Sequence, residues 1–335
     1  MGSASAWQPD ILGEGFEQRT LDLGADDEGP VVATLVRHLP RRRLPDWLWP
    51  DRRPLRDVDV LYVHGWSDYF FQTRLARYFA ERGARFFALD LRKYGRSLRE
   101  GQRAGFVTDL ATYDEDIAAA LEVIRADGPS RRLVLFGHST GGLTLSLWTS
   151  RHPGEAAALV LNSPWLEFQL RSIGRAAITP ALGVQARLRR NDIVPAFDLG
   201  FYARAQREVY DESDPYEIRE AWRPDISMPV HAAWLKAVLA GHAKVRAGLG
   251  IDVPVCVLLS ARSAVPRRWS EALTRADTVL FVDVIAEAAL EVGSSVTIER
   301  IDGALHDVFL SRHEARELAY ARLDRWITGF VARTR

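Results

Sequence analysis

Arg132-Leu133-Val134-Leu135-Phe136-Gly137-His138-Ser139-Thr140-Gly141-Gly142-Leu143 is the stretch that decides how this 335-residue chain is read. Its first half is an apolar run of strand length, and the residues beyond Gly142 continue as a helix through Trp148 to His152, so the segment reads strand, tight turn, helix. At the turn stands Gly-x-Ser-x-Gly. A serine held in a strained turn needs small residues at Gly137 and Gly141 so that neighbouring backbone can pass. Such a turn lifts the hydroxyl out of the sheet and sets it at the N-terminus of the next helix. Ser139 is therefore a candidate nucleophile, the plain alternative being an ordinary Ser/Gly turn.

Working outward, runs of strand length recur at 58–63, 84–89, 132–136, 157–161, 253–259 and 296–301. Between them, Phe71-Leu75-Tyr78-Phe79 and Ile117-Leu121-Ile124 repeat at helical spacing. Near-continuous Val and Leu strands separated by helices imply an α/β fold, a mainly parallel, doubly wound sheet covered on both faces. Two further β-like runs, 17–23 and 31–37, flank the turn-forming stretch 24–30 and predict an N-terminal hairpin. A Pro- and Arg-rich stretch, 39–54, joins this hairpin to the alternating pattern. Ala315, Ala319, Leu323, Trp326, Ile327 and Phe330 fall on one face of a final docked helix.

The segment 165–250 breaks the alternation, with helix formers, aromatics and several prolines but no convincing strand. It is too long for an ordinary connection, so it must carry structure of its own. The expected organisation is one catalytic core in two parts, 1–164 and 251–335, interrupted by a helical cap at 165–250.

Composition limits the partners. Hydrophobic residues make up 47% and charged residues 26%, which excludes wholesale disorder. Forty-four Lys and Arg balance 44 Asp and Glu, so no global field draws the chain to nucleic acid or an anionic membrane. The one cysteine, Cys256, lies in an apolar run and allows no internal disulfide. No apolar run approaches the roughly 18 residues of a membrane span, and residues 1–18 lack the basic start and apolar core of a signal peptide. A soluble, cytoplasmic protein is expected, with no integral membrane segment, no nucleic-acid partner and an open oligomeric state.

A serine nucleophile needs a base. His306 lies just past the last predicted strand, which in a doubly wound sheet returns to the edge carrying the nucleophile turn. His138 adjoins Ser139 and is expected to point away as a packing residue, while His64, His152, His231, His242 and His313 fit surface, cap or loop roles. The orienting acid should follow the 253–259 strand, but Ser260-Ala261-Arg262-Ser263 contains no carboxylate. Asp277 is preferred over Asp283, which precedes a helical run and suits an N-cap. Glu271, Asp302 and Asp307 are the remaining choices. Backbone donors for an oxyanion are expected from Thr140, the residue after the serine, and from Trp66 in His64-Gly65-Trp66.

Together, His64-Gly65-Trp66, Asp90-Leu91-Arg92-Lys93-Tyr94-Gly95-Arg96-Ser97, Gly137-His138-Ser139-Thr140-Gly141 and His306-Asp307 resemble the α/β-hydrolase superfamily. Within it they are most similar to the branch of serine aminopeptidases, monoacylglycerol lipases and lysophospholipases. The resemblance spans roughly residues 58–331. The branch pattern Asp-x-Arg-Gly-His-Gly-x-Ser is altered here, with Lys93 and Tyr94 in place of Gly-His. In the branch a carboxylate falls soon after the seventh strand. Ser263 stands near that place, and Asp277-Thr278-Val279-Leu280 looks like the acid motif displaced by a short insertion.

What the resemblance implies is an α/β-hydrolase fold and a serine hydrolase that needs neither cofactor nor metal. Its triad would be Ser139, His306 and Asp277, and it would cleave a small acyl ester such as a monoacylglycerol or lysophospholipid through an acyl-enzyme. Relatives with a carboxylate nucleophile, the haloalkane dehalogenases and epoxide hydrolases, are excluded by Ser139. An aminopeptidase or acyltransferase on the same site, and a catalytically silent binding protein of this fold, are the alternatives.

Overall fold

Short apolar segments become strands here because both faces of the sheet are covered. The computed structural model describes residues 6–39, 53–168, 191–194, 198–264 and 268–332. Its strands in chain order are β1 (Gln8–Pro9), β2 (Phe16–Asp26), β3 (Gly29–His38), β4 (Val58–Val63), β5 (Arg85–Asp90), β6 (Arg132–His138), β7 (Ala158–Asn162), β8 (Ile193–Val194), β9 (Val230–His231), β10 (Val255–Ser260) and β11 (Val296–Ile301). Nine of them form one sheet in the order β1-β2-β3-β5-β4-β6-β7-β10-β11. From β5 to β11 every pairing is parallel, and the N-terminal strands add antiparallel pairings through β3 and β5.

Alternate residues of each central strand face opposite layers. In β4, Val58, Val60 and Tyr62 join the layer containing helices Thr73–Glu81 and His313–Phe330, with Leu75, Phe79, Leu323 and Trp326. Leu61 and Val63 join the other layer, with Ile117 and Leu121 of helix Tyr113–Ala126 and Leu143 of helix Thr140–Arg151. Two buried faces explain why these strands read as unbroken apolar runs. Strand order reverses around β4 and β6, so the crevice beyond their C-terminal ends is the natural place for a site.

Several local expectations are revised. The hairpin strands extend further than read, to Asp26 and from Gly29, with a register shift between Asp22 and Ala25. Gly24, at a φ of +82°, accommodates that bulge. The hairpin tip also accounts for Lys93. That side chain is buried and its ammonium meets Asp26 at 2.6 Å and Glu28, so two tip carboxylates offset its desolvation. Segment 165–250, read as strandless, contains the two-residue antiparallel ladder β8–β9, too short to leave a periodic signal.

That segment also contributes helices Phe201–Glu208 and Ala232–Arg246, and the second packs its Trp234, Val238 and Val245 into the sheet's own core layer. On the last helix Phe330 is 49% exposed, stacked on Trp326 at the fraying end instead of buried with the face it shares. The stretch 40–52, Pro180, Pro195 and Phe197 lie outside the described residues. Among those described, no helix is long and apolar enough to cross a membrane.

Candidate active site

Ser139 stands where β6 ends and helix Thr140–Arg151 begins, with φ +51° and ψ −117°, a conformation that a non-glycine residue adopts only when its surroundings impose it. The restraints are visible. Its amide donates to the Asn162 carbonyl at 3.0 Å, and its own carbonyl accepts from Gly142 and Trp165 at 3.0 Å each. Both flanking glycines are required by proximity. A Cβ on Gly141 would lie 2.3 Å from the His64 carbonyl oxygen, and one on Gly137 would lie 2.6 Å from Gly142 Cα.

Past β11, His306 turns back over this serine. Its Nε2 is 3.1 Å from Ser139 Oγ, and its Nδ1 is 2.9 Å from Asp277 Oδ2. A carboxylate can only accept, so Nδ1 carries the proton and the Nε2 lone pair faces the hydroxyl. Asp277 is fully buried, and its other oxygen accepts from the amides of Val279 and Leu280 at 2.7 and 2.8 Å. The insertion after β10 explains how a residue so far along the chain arrives there. The backbone leaves near Ser263 and returns to bridge it at Asp277, with Asp277 N donating to Arg262 O at 3.0 Å. Asp277 thereby prolongs the edge of β10 and fills the place left without a carboxylate.

The other acids are directed elsewhere. Asp283 has 85% of its side chain exposed and pairs with Arg300 at 2.7 Å. It is not the expected N-cap either: Phe281 holds that position in helix Val282–Ala289, and Asp283 lies in the first turn. Asp302 and Glu271 are exposed partners of Arg262 and Arg312. Asp307 is buried but accepts from Gln72 and Asn162 at 2.7 Å each, which anchors the loop bearing His306.

Trp66 lines the same cavity as Ser139. Thr140 opens the helix directly after Ser139, and Gly65 runs so close that a Cβ there would lie 3.0 Å from Ser139 Cβ. The Trp66 ring packs on Trp234, with centroids 3.8 Å apart. Sequence reasoning missed three neighbours. His138, expected to point away, lines the same cavity, with its ring centroid 5.1 Å from that of His306. Burial lowers its pKa, outweighing the opposing pull of Asp307, and Nδ1 donates to the Asn162 carbonyl at 3.1 Å, which fixes the ring as part of the cavity wall.

Tyr202, from helix Phe201–Glu208, meets the His306 ring edge-on at 5.6 Å, and its hydroxyl accepts from Asp307 N at 3.2 Å. Arg223 closes the far wall in an ion pair with Asp68. Only the aromatic content of 165–250 hinted at Tyr202, nothing local marked Arg223, and His138 stands in the motif itself but was expected to point away. The cavity above Ser139 measures about 480 Å³ and includes Leu199, Phe201, Tyr202 and Val279 along its apolar side.

This sheet, with a strained serine at the C-terminal end of a central strand, is that of the α/β-hydrolases. Solved structures share it. A soluble variant of monoglyceride lipase from Saccharomyces cerevisiae superposes with a TM-score of 0.59 at 14% identity, covering 92% of this chain and 95% of that one. A thermostable carboxyl esterase from Bacillus coagulans gives 0.60 at 13% identity, over 94% and 99%. The model of the serine aminopeptidase family S33 matches residues 56–312, and the chain belongs to that family. A curated relative, monoacylglycerol lipase of Mycolicibacterium smegmatis, is 34% identical over 116 residues. The match covers 34% of this chain and 40% of that relative's length.

Proposed function

We propose that the protein is a serine hydrolase that cleaves a small carboxylic ester through an acyl-enzyme. The observation that carries this reading is the continuous chain Ser139 Oγ, His306 Nε2, His306 Nδ1, Asp277 Oδ2, with both links at hydrogen-bond distance. Ser139 Oγ attacks the ester carbonyl while His306 Nε2 takes the hydroxyl proton, and the Trp66 and Thr140 amides hold the oxyanion. The tetrahedral adduct collapses as His306 returns that proton to the leaving alkoxide, which departs as the alcohol. Water, activated by the same imidazole, then releases the carboxylic acid and restores Ser139. Asp277 keeps the imidazole in the required tautomer and stabilises the imidazolium that forms in each half-reaction.

The ester class rests on the partial likeness to a monoacylglycerol lipase and on the apolar side of the cavity, which suits an acyl chain. Monoacylglycerols, lysophospholipids and short- to medium-chain acyl esters are the substrates proposed, with segment 165–250 acting as the cap over Ser139. The test is hydrolysis of p-nitrophenyl esters and monoacylglycerols of increasing chain length by the wild type and by Ser139→Ala. Turnover should fall on the order of 10⁶-fold in the variant, and a fluorophosphonate should label only the wild type. Ester hydrolysis retained by Ser139→Ala overturns the reading.

A further inference from the structure

Ser67 directly follows Trp66 and has a φ of +52°, in the left-handed region that a serine keeps only when its surroundings hold it there. The holding contacts come from the inserted segment between β7 and β10. Ser67 Oγ accepts from the Met228 amide at 3.1 Å. One residue on, Asp68 pairs with Arg223 Nε at 2.8 Å, with 7% and 10% of the two side chains exposed. Arg223 is fixed in turn by Gln206 Oε1, which accepts from Nη2 at 2.8 Å. The loop that runs past Ser139 at Gly65 and continues through Trp66 is thus strained, and the two consecutive residues after Trp66 are clamped by partners about 160 positions away in sequence.

We propose that Asp68 and Arg223 are positioning residues: their buried ion pair locks the loop 64–68 in the shape that aims the Trp66 amide at the oxyanion, so the inserted segment completes the oxyanion site it covers. This rests on the serine-hydrolase reading above. Neither side chain touches the reacting atoms, and both act through the Trp66 backbone. A purely structural ion pair would lower stability and leave the transition state of the folded enzyme untouched, whereas a positioning pair controls one hydrogen bond that matters only once the oxyanion forms.

The test uses the full chain as wild type, Arg223→Met, Arg223→Lys and the double variant Asp68→Asn/Arg223→Met, which leaves no unpaired charge buried if a single variant fails to fold. For each folded protein, kcat and KM for a p-nitrophenyl ester are measured together with the inhibition constant of a trifluoromethyl ketone, whose adduct with serine carries an oxyanion. Loss of one oxyanion donor predicts a fall in kcat of about 10²–10³-fold with KM little changed. Ketone affinity should fall in parallel with kcat/KM, and Arg223→Lys should recover part of both losses. Folded Arg223→Met or double variants with wild-type kcat overturn the proposal, and so does a kcat loss with unchanged ketone affinity. A wild type that neither hydrolyses esters nor is labelled by fluorophosphonate would instead bring down the underlying serine-hydrolase reading, and this proposal with it.

Discussion

Asp277 divides its two oxygens between His306 and its own loop, since Oδ2 faces the imidazole while Oδ1 accepts from two loop amides. Asp277→Asn can keep an acceptor for Val279 and Leu280 and so preserve the loop, but it removes the anion and presents a donor or a neutral acceptor to Nδ1. Turnover should drop roughly 10⁴-fold with the melting curve little changed, whereas Asp283→Asn, altering an exposed partner of Arg300, should leave turnover as it is. Steady-state kinetics beside thermal melts of both variants checks this. Equal losses in the two would remove Asp277 from the acid role. The sequence favoured Asp277 only indirectly, because Asp283 precedes a helical run, and the stretch between β10 and Asp277 carries no period that shows which carboxylate returns to His306.

At the scale of one element, β10 shows what central placement does to a side chain. Cys256 pairs across the sheet with Val160 of β7 on one side and Thr297 of β11 on the other, and it is fully buried. Burial pushes its thiol pKa well up, with Glu299 adding to the shift, so almost no thiolate is present near neutral pH. Iodoacetamide should therefore leave the native protein unmodified and label Cys256 only as urea opens the sheet, at the same midpoint as the loss of circular dichroism. Rapid labelling without denaturant would show that β10 is not held between its neighbours.

Across the whole molecule, Arg96 joins parts that are far apart in the chain. Its guanidinium meets Asp10 near the N-terminus at 2.7 Å and Asp90 at the end of β5 at 2.8 Å, and it donates to the Phe70 carbonyl at 3.0 Å in the loop after β4. Both carboxylates are completely buried. Arg96→Met would strand two buried anions around one lost cation, at a cost of about 3–5 kcal/mol. The urea midpoint should fall accordingly. Arg96→Lys should lie between, because it keeps the charge but loses the fork that bridges both acids. Wild-type stability in Arg96→Met would mean that the N-terminal segment is not tied to the sheet through this residue.

The sequence alone determined what depends on neighbours along the chain. Strand, Gly-x-Ser-x-Gly and helix from Arg132 to His152 are local events governed by side-chain period and by the steric demands of one tight turn, and the alternation around them dictated a parallel sheet with two buried faces. His306 was legible because a histidine just past the last strand of such a sheet must return to the serine's edge. Only the tertiary structure decided which carboxylate reaches it, that His138 and Tyr202 border the imidazole, and that Asp68 meets Arg223. Those contacts join loops whose separation in sequence carries no period, and their geometry is set by how the sheet edge and the inserted segment fold back over the same serine.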